Sequence, residues 1–393
     1  MEECKTILDT GLRDVIVAST KISHVDGNAG KLIYRGYLAK ELAENATFEE
    51  IAHLLLYEKL PDKNQLESFK KQLLAERHIP PELVTVMKTL PRDALPMDVL
   101  QACVSMLAAY DPDVKSPVSR EGSLRMAVRL IAKLPIILAA YDRIRNGGEP
   151  LKPSTDLSHA ANFLYLLNGT VPDAEVSRFF DVCLVLHAEH SFNASTFAAR
   201  EVASTTAHIY AAVGAAAGSL SGGLHGGANT RVMNMLLKIG SPDAVEKYVN
   251  DELESGRKIM GLGHAVYNVD DPRALILAPM SKKMGERVGE SKWYEISRTL
   301  EEKAKAAFKK RKNTDIFVNV DFYSASLYYY MGIAVDLFTP IFAISRIAGW
   351  TAHVIEEQFA DAAPKPMLYR PESRYIGDYC GPDECSFTPI ETR

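Results

Sequence analysis

Cysteine is scarce in this chain of 393 residues, and the five present, Cys4, Cys103, Cys183, Cys380 and Cys385, are too scattered for a disulfide framework or a zinc site. Only Cys380 and Cys385 lie near each other, as two free thiols or a redox pair. Charge of one sign is also scarce. The net charge is −5 and the one marked run is Lys309-Lys-Arg-Lys312, so the broad basic face that nucleic acid requires is missing. The longest weakly polar stretch, Val202 to Leu220, carries His208, hydroxyl side chains and two glycines. It reads as a helix packed through small residues in a protein interior, not as a membrane span. The first residues, Met-Glu-Glu-Cys-Lys-Thr, have no basic segment leading into an apolar one, and a cytoplasmic protein is expected. No repeat of fixed period occurs, and no Gly-x-x-x-x-Gly-Lys-Ser/Thr phosphate loop.

Strand signals are few: Asp14-Val-Ile-Val-Ala18 and Ile316-Phe-Val-Asn-Val320. Helical periodicity covers most of the rest. Thr47-Phe-Glu-Glu50 is a capping box opening a helix that Pro61 closes, and Asp62 caps a second with Leu66, Phe69, Leu73 and Leu74 on one face. Further helices are predicted over about 96–109, 123–145, 156–168, 173–191, 194–218, 291–311 and 339–359, and one from Ser241-Pro242 to a stop at Gly256. The fold class is all-α. A composition 47% hydrophobic and 24% charged suits a soluble protein, and the length favours two domains or one with an insertion. The expected division is a large helical domain of 1–225 and 333–393 and a small one of 226–332, with a cleft between them that hinge motion can close.

Three short segments carry chemistry. His225 sits in Ser221-Gly-Gly-Leu-His-Gly-Gly-Ala-Asn229, His264 in Gly261-Leu-Gly-His-Ala-Val-Tyr267, and Asp321 in Asn319-Val-Asp-Phe-Tyr323. The flanking glycines permit positive φ or close approach of a ligand, although a histidine that merely caps a tight turn would look the same. Apolar neighbours around Asp321 should raise its pKa and make it a stronger base. His187-Ala-Glu-His190 has two histidines, but no third ligand group stands near and the spacing fits no zincin, so no metal is expected. Arg346 lies in an apolar helical run, where its charge must meet a carboxylate of the protein or of a substrate. With Arg273, close behind His264, and Arg370 in the extended tail, it could hold a small polycarboxylate by bidentate pairs.

These segments resemble the helical citrate synthases, including the 2-methylcitrate synthases. The likeness extends to Gly11-Leu-Arg-Asp-Val-Ile-Val-Ala-Ser-Thr-Lys-Ile-Ser-His-Val-Asp-Gly27, Leu32-Ile-Tyr-Arg-Gly-Tyr37, Leu95-Pro-Met-Asp-Val-Leu100, Asn193-Ala-Ser-Thr196, Leu337-Phe-Thr-Pro340 and Arg370-Pro371, all in the family's order. The resemblance implies a homodimer with shared active sites that joins oxaloacetate to acetyl-CoA and hydrolyses the citryl-CoA formed, with no metal or other cofactor. It implies Asp321 as the base for the acyl methyl proton, His225 as hydrogen-bond donor to the thioester oxygen, and His264 as the group polarising the oxaloacetate carbonyl. His190, Arg273 and Arg346 match oxaloacetate ligands, and Arg370 one that enters the partner subunit's site.

Departures from the family pattern fall on the acyl-CoA side. Ala265-Val-Tyr-Asn268 stands where Arg-Val-Tyr-Lys is common, which removes a basic residue aimed at CoA phosphates. Lys258, Lys309 and Lys312 are the candidates to replace it. Val318, Ala325 and Thr230 stand where proline, glycine and glutamate are usual. The Tyr323-Ser-Ala-Ser326 stretch resembles the methylcitrate enzymes in part, and a pocket discriminates one methylene by only about 1–3 kcal/mol. Acetyl and propionyl donors therefore both stay open, with a non-catalytic member of the fold as the remote alternative, against which the complete set of His225, His264 and Asp321 argues.

Overall fold

Sixteen α-helices and one small sheet make up the computed structural model, which describes residues 11, 12, 15–264, 266–376 and 389–392. Ala265, Cys380 and Cys385 fall outside the described residues, as does Asp14. The chain opens with an antiparallel three-stranded sheet in the order β1 (Ser23–Asp26), β2 (Lys31–Tyr34) and β3 (Tyr37–Leu38). Ser23 pairs with Tyr34 and Asp26 with Lys31, so β1 and β2 form a tight hairpin. This sheet was not foreseen, whereas the strand expected at 14–18 does not form over 15–18.

The helices follow as α1 (Ala39–Asn45), α2 (Phe48–Tyr57), α3 (Lys63–Ala75), α4 (Pro81–Thr89), α5 (Pro96–Leu107), α6 (Arg120–Arg145), α7 (His159–Asn168) and α8 (Ala174–His187). After them come α9 (Ala194–Ser204), α10 (Ile209–Ser221), α11 (Ala228–Ile239), α12 (Val245–Glu254), α13 (Pro272–Val288), α14 (Lys292–Lys312), α15 (Val320–Tyr330) and α16 (Phe338–Phe359). Both capping boxes are present: the Thr47 nitrogen donates to Glu50 at 2.8 Å, and the Gln65 nitrogen to Asp62 at 2.9 Å.

Several boundaries differ from expectation for local reasons. The stretch 194–218 is two helices, because Thr206 turns left-handed (φ 65°) and the His208 ring caps α10 through the Ala211 nitrogen. Ser241 makes no side-chain cap; a 3-10 turn at Pro242–Ala244 leads into α12 instead, and Gly256 (φ 66°) follows its end. The 316–320 strand reduces to one bridge, Leu262 to Val318, since Asn319 caps α15 by accepting from the Asp321 nitrogen at 3.1 Å.

The core is organised around α16, which is buried from Phe338 to Glu357 almost without interruption and packs on α2, α5, α6, α8, α9, α10 and α11. Gly349 lets α8 end directly against it: a Cβ there would lie 2.2 Å from Glu189 Oε2 and 2.4 Å from the Ala188 oxygen. Helices α11 to α15 pack mainly on one another, α13 on α15 and α12 on α14, with α11 and α13 reaching across to α16 and α8. Among the described residues no helix is long and apolar enough to cross a membrane.

Candidate active site

A cavity of about 750 Å³ lies where the ends of α8 and α10, the starts of α9, α11, α13 and α15, and the first half of α16 converge. His190, His225, His264, Arg273, Asp321 and Arg346 all line it. Residues spread over 157 positions of chain are therefore brought to one surface, as the sequence expectation required.

His225 is presented by the turn between α10 and α11. Gly226 is obligatory there, because a Cβ would sit 1.8 Å from the Leu220 oxygen, and Gly227 adopts φ 71° at the head of α11. The Ser195 backbone N–H donates to His225 Nε2 at 3.1 Å. A backbone N–H can only donate, so the tautomer that satisfies it has the lone pair on Nε2, which also lies 2.8 Å from the Ser195 hydroxyl, and the ring proton on Nδ1. Ser195 is itself tied down, its hydroxyl accepting from Trp350 Nε1 at 3.1 Å and meeting Asn193 Oδ1 at 2.7 Å.

His264 reaches the same condition by the opposite tautomer. Its Nδ1 accepts from the backbone nitrogens of Val266 (2.9 Å) and Tyr267 (3.1 Å), so the ring has one N–H to offer, on Nε2. The His190 and His264 rings meet edge to face with centroids 5.3 Å apart, and His190 Nε2 lies 3.3 Å from the Tyr267 hydroxyl. Burial and nearby Arg346 bring the His225 pKa down to about 4, and burial with Arg273 does the same for His264. His190 is pushed well below the usual histidine value by burial, Arg273 and His264. All three imidazoles are neutral at pH 7 and act as hydrogen-bonding dipoles, not as cations.

Asp321 occupies the first turn of α15, with its side chain on the cavity wall. Burial raises its pKa to about 6, against the opposing pull of Arg273, Arg231 and Arg346. The shift matches the sequence expectation of a strengthened base. For catalysis the carboxylate must be ionised, so kcat/KM should rise with pH through about 6 and level off above it. Stability runs the other way. A carboxyl whose pKa in the folded protein lies above its unfolded value of about 3.9 contributes stability fully below that value, and the contribution is lost as pH rises through about 6. Asp321→Asn should therefore raise Tm relative to the parent at pH 8 and little at pH 4; an equal shift at both would show that the carboxyl titrates normally.

Arg273 and Arg346 differ in what holds them. Arg273 is 3% exposed and bidentate to the fully buried Asp271, Nε to Oδ1 at 3.0 Å and Nη2 to Oδ2 at 2.7 Å. A protein carboxylate thus takes one of its faces, which the sequence reading did not anticipate. Arg346 is 2% exposed, its Nε donates to the His187 carbonyl at 2.7 Å, and its guanidinium stacks over the Phe342 ring at 4.7 Å. Among the described residues no carboxylate oxygen lies within 4.0 Å of it. Burial and Arg273 lower its pKa to about 10, against the opposing pull of the more distant Glu189 and Asp321. A buried cation with no carboxylate in direct contact among the described residues, facing a cavity, is a seat for an anion brought from outside.

Arg370 lies in the exposed tail, bonded among the described residues only to the Pro371 oxygen at 3.4 Å, and does not line this cavity. Lys309 pairs with Asp315 at 3.0 Å and Lys312 stacks on Phe308 at 5.0 Å; neither these nor Lys258 lines the cavity. His187 is fully buried against Phe342 with ring centroids 4.3 Å apart. Among the described residues no group of three or more histidine, cysteine, aspartate or glutamate side chains could hold a metal ion.

Three lining residues were not singled out from sequence, His24 of β1, Phe342 under Arg346, and Arg231 on α11, and neither was Tyr267, whose hydroxyl stands beside His190 behind the wall. The Arg231 Nη2 donates to the Gly226 oxygen at 3.3 Å, while its Nε is buried without a partner. An isolated arginine in an ordinary helical string carries no local signal; only its burial beside Asp321 marks it. The Gly226 turn offers a direct check. Gly226→Ala must displace the Leu220–His225 segment, and because a 1 Å misplacement can cost on the order of 10²-fold in rate, kcat should fall steeply, with Tm lowered as well by the forced backbone shift.

The site defines a class: an all-α enzyme in which an anion seat adjoins a strengthened carboxylate base and two histidines that each offer one N–H. The family model described as "Citrate synthase, C-terminal domain" matches residues 11–372. The citrate synthase of Haloferax volcanii is 44% identical over 390 residues, 98% of this chain and 99% of that protein. The 2-methylcitrate synthase of Shewanella oneidensis is 39% identical over 378 residues, 96% of this chain and 97% of that protein. Among solved structures, the citrate synthase of Thermoplasma acidophilum, in its ternary complex with carboxymethyl coenzyme A and oxaloacetate, superposes with TM-score 0.89 at 31% identity. That match covers 98% of this chain and all of the other. The chain belongs to the citrate synthase family.

Proposed function

We propose that the protein condenses acetyl-CoA with oxaloacetate and water to give citrate and CoA. The observation that carries this reading is Arg346, buried with no carboxylate in direct contact among the described residues and set in one cavity with Asp321, His225 and His264. Oxaloacetate fills the anion seat on Arg346 and the open edge of Arg273, with His190 and the His264 Nε2–H beside it. Asp321 removes a methyl proton of the acyl-CoA, and the Nδ1–H of His225 donates to the thioester oxygen as negative charge develops there. A carboxylate of pKa about 6 cannot remove so weak a carbon acid's proton unaided. A preorganised donor of this kind supplies roughly 3–4 kcal/mol. The enol carbon then bonds to the oxaloacetate carbonyl carbon, whose oxygen takes its proton from His264. Water hydrolyses the resulting citryl-CoA thioester, releasing CoA. These steps use no metal or other cofactor.

In this reading residues 226–332 form the small domain that closes on the large one, 1–225 and 333–393, shutting out water. The protein is a cytoplasmic homodimer, and Arg370 of each chain completes the other's site, which accounts for its exposure here. Lys258, Lys309 and Lys312, outside the cavity, meet the phosphates of a CoA too long to be enclosed. The second reading, 2-methylcitrate formation from propionyl-CoA, is favoured by a 2-methylcitrate synthase relative almost as similar as the citrate synthases.

Release of CoA thiol from acetyl-CoA and from propionyl-CoA, each with oxaloacetate and excess EDTA, tests the proposal. Thiol release undiminished by EDTA is expected, and the larger kcat/KM names the donor. No release with either acyl-CoA, or loss of activity to EDTA, would contradict it.

A further inference from the structure

The β1–β2 hairpin lines the cavity through His24 and Val25 and is bonded at both ends to segments that carry site histidines. At its base, Ser23 Oγ donates to Glu189 Oε1 at 2.8 Å and the Tyr34 hydroxyl to the Glu189 carbonyl at 3.0 Å, next to His190. Glu189 is itself fully buried and accepts from His353 Nε2 at 3.0 Å, so this anchor belongs to the core. At the other end the hairpin turn meets the loop carrying His264. The Asn268 backbone donates to the Gly27 oxygen at 2.9 Å, and Asn268 Nδ2 donates to Asn28 Oδ1 at 2.7 Å. Contact is close enough that a Cβ on Gly27 would lie 2.0 Å from the Val266 oxygen, and one on Gly30 would lie 2.8 Å from Val269 Cγ2.

The turn is stiff, because Asp26 Oδ1 accepts from the nitrogens of Asn28 (3.1 Å) and Ala29 (2.8 Å). The His264 loop otherwise belongs to the opposite wall: the Gly263 nitrogen bonds Phe317 (2.8 Å), the Asp271 nitrogen bonds Val318 (3.0 Å), and Asn319 Nδ2 bonds Gly263 (3.0 Å). The two nitrogens that fix the His264 tautomer, those of Val266 and Tyr267, immediately precede Asn268.

We propose that this hairpin turn is a catch that holds the His264 loop over the cavity, with Asn28 and Asn268 as its positioning residues. The inference rests on the condensation reading above, since it assigns the catch to closure over the bound dicarboxylate. Both asparagines are exposed and their bond is neutral, so the catch is weak and reversible, as repeated opening requires. Substrate and catch bridge the same two walls: oxaloacetate between Arg346 and Arg273, the asparagines between the hairpin and the loop. Binding energy of the substrate and of the catch therefore add in the closed state, and losing the catch is compensated by more substrate.

The test is steady-state thiol release by the full chain and by Asn28→Ala, Asn268→Ala, their double variant, Asn268→Lys alone, and the pair Asn28→Asp with Asn268→Lys. Each alanine variant should raise the KM for oxaloacetate about fivefold with kcat within about twofold. The double variant should be no worse than either single one. The Asp–Lys pair should restore KM to within about twofold of the parent, and Asn268→Lys alone should not. Additive effects, no change in KM, a fall in kcat at constant KM, or no rescue would overturn the catch. A parent inactive with both acyl-CoAs would instead overturn the condensation reading. The catch would then be judged by amide exchange alone: the Asn268 N–H should exchange faster in Asn28→Ala, and unchanged exchange would overturn it.

Discussion

Asp321→Asn is expected to lower kcat by about 10³-fold or more with the affinity for oxaloacetate nearly unchanged, the upper part of the range for removing a positioned base. The asparagine keeps the volume and the backbone capping of α15, which uses the Asn319 side chain and not that of residue 321. Only the proton acceptor is lost. Asp321 lies opposite two histidines that are neutral and already committed, His225 Nε2 to the Ser195 N–H and His264 Nδ1 to the nitrogens of Val266 and Tyr267. Neither can take over as base, because their free nitrogens carry protons. Single-turnover kinetics beside a titration with oxaloacetate separates the chemical step from binding. Retention of more than a tenth of parental kcat would place the base elsewhere.

Arg346→Leu should raise the KM for oxaloacetate by about 10²- to 10³-fold, the range for truncating one partner of a buried charge pair. The same change should raise Tm. In the free protein Arg346 is a desolvated cation with its Nε on a carbonyl and no carboxylate within 4.0 Å among the described residues, and burial lowers its pKa to about 10, which the more distant Glu189 offsets only in part. Leucine removes that cost and packs against Phe342. Arg273 makes the contrasting control. Its bidentate bond to buried Asp271 means that Arg273→Leu would leave a carboxylate without its partner, so stability and affinity should fall together. Thermal denaturation and oxaloacetate titration of the two variants distinguish them. A lower Tm for Arg346→Leu would mean that the guanidinium has an internal partner.

Much of the site was legible because its signals are local. His225 and His264 are framed by glycines whose geometry the fold uses, Gly226 for close approach and Gly261 and Gly263 for φ of 78° and 85°. Asp321 was marked by its apolar neighbours, and Arg346 by an apolar helical run in which a charge had no local reason to be. What was not legible depends on distance in space. The β1–β3 sheet was missed because its strands have four, four and two residues and are half-exposed, too short for an alternation to stand out. The pairing of Asp271 with Arg273 reads in sequence as part of a substrate clamp, and only the bidentate geometry shows it as internal. Arg231 has no sequence signal, since its significance is that its Nε is buried beside the cavity without a partner. The break at Thr206 inside a strongly helical pattern likewise rests on the His208 ring folding back onto the Ala211 nitrogen.

The central claim is that Asp321 draws a proton from the acyl methyl group beside an occupied anion seat. Proton exchange measures that step without the condensation. Acetyl-CoA is incubated in D₂O with the protein and malate, a dicarboxylate that can occupy oxaloacetate's place but has no ketone to react. Mass spectrometry should find deuterium in the acetyl methyl group with the parent protein, and none above the uncatalysed level with Asp321→Asn or when malate is omitted. No exchange with the parent, or equal exchange with the variant, would contradict the account.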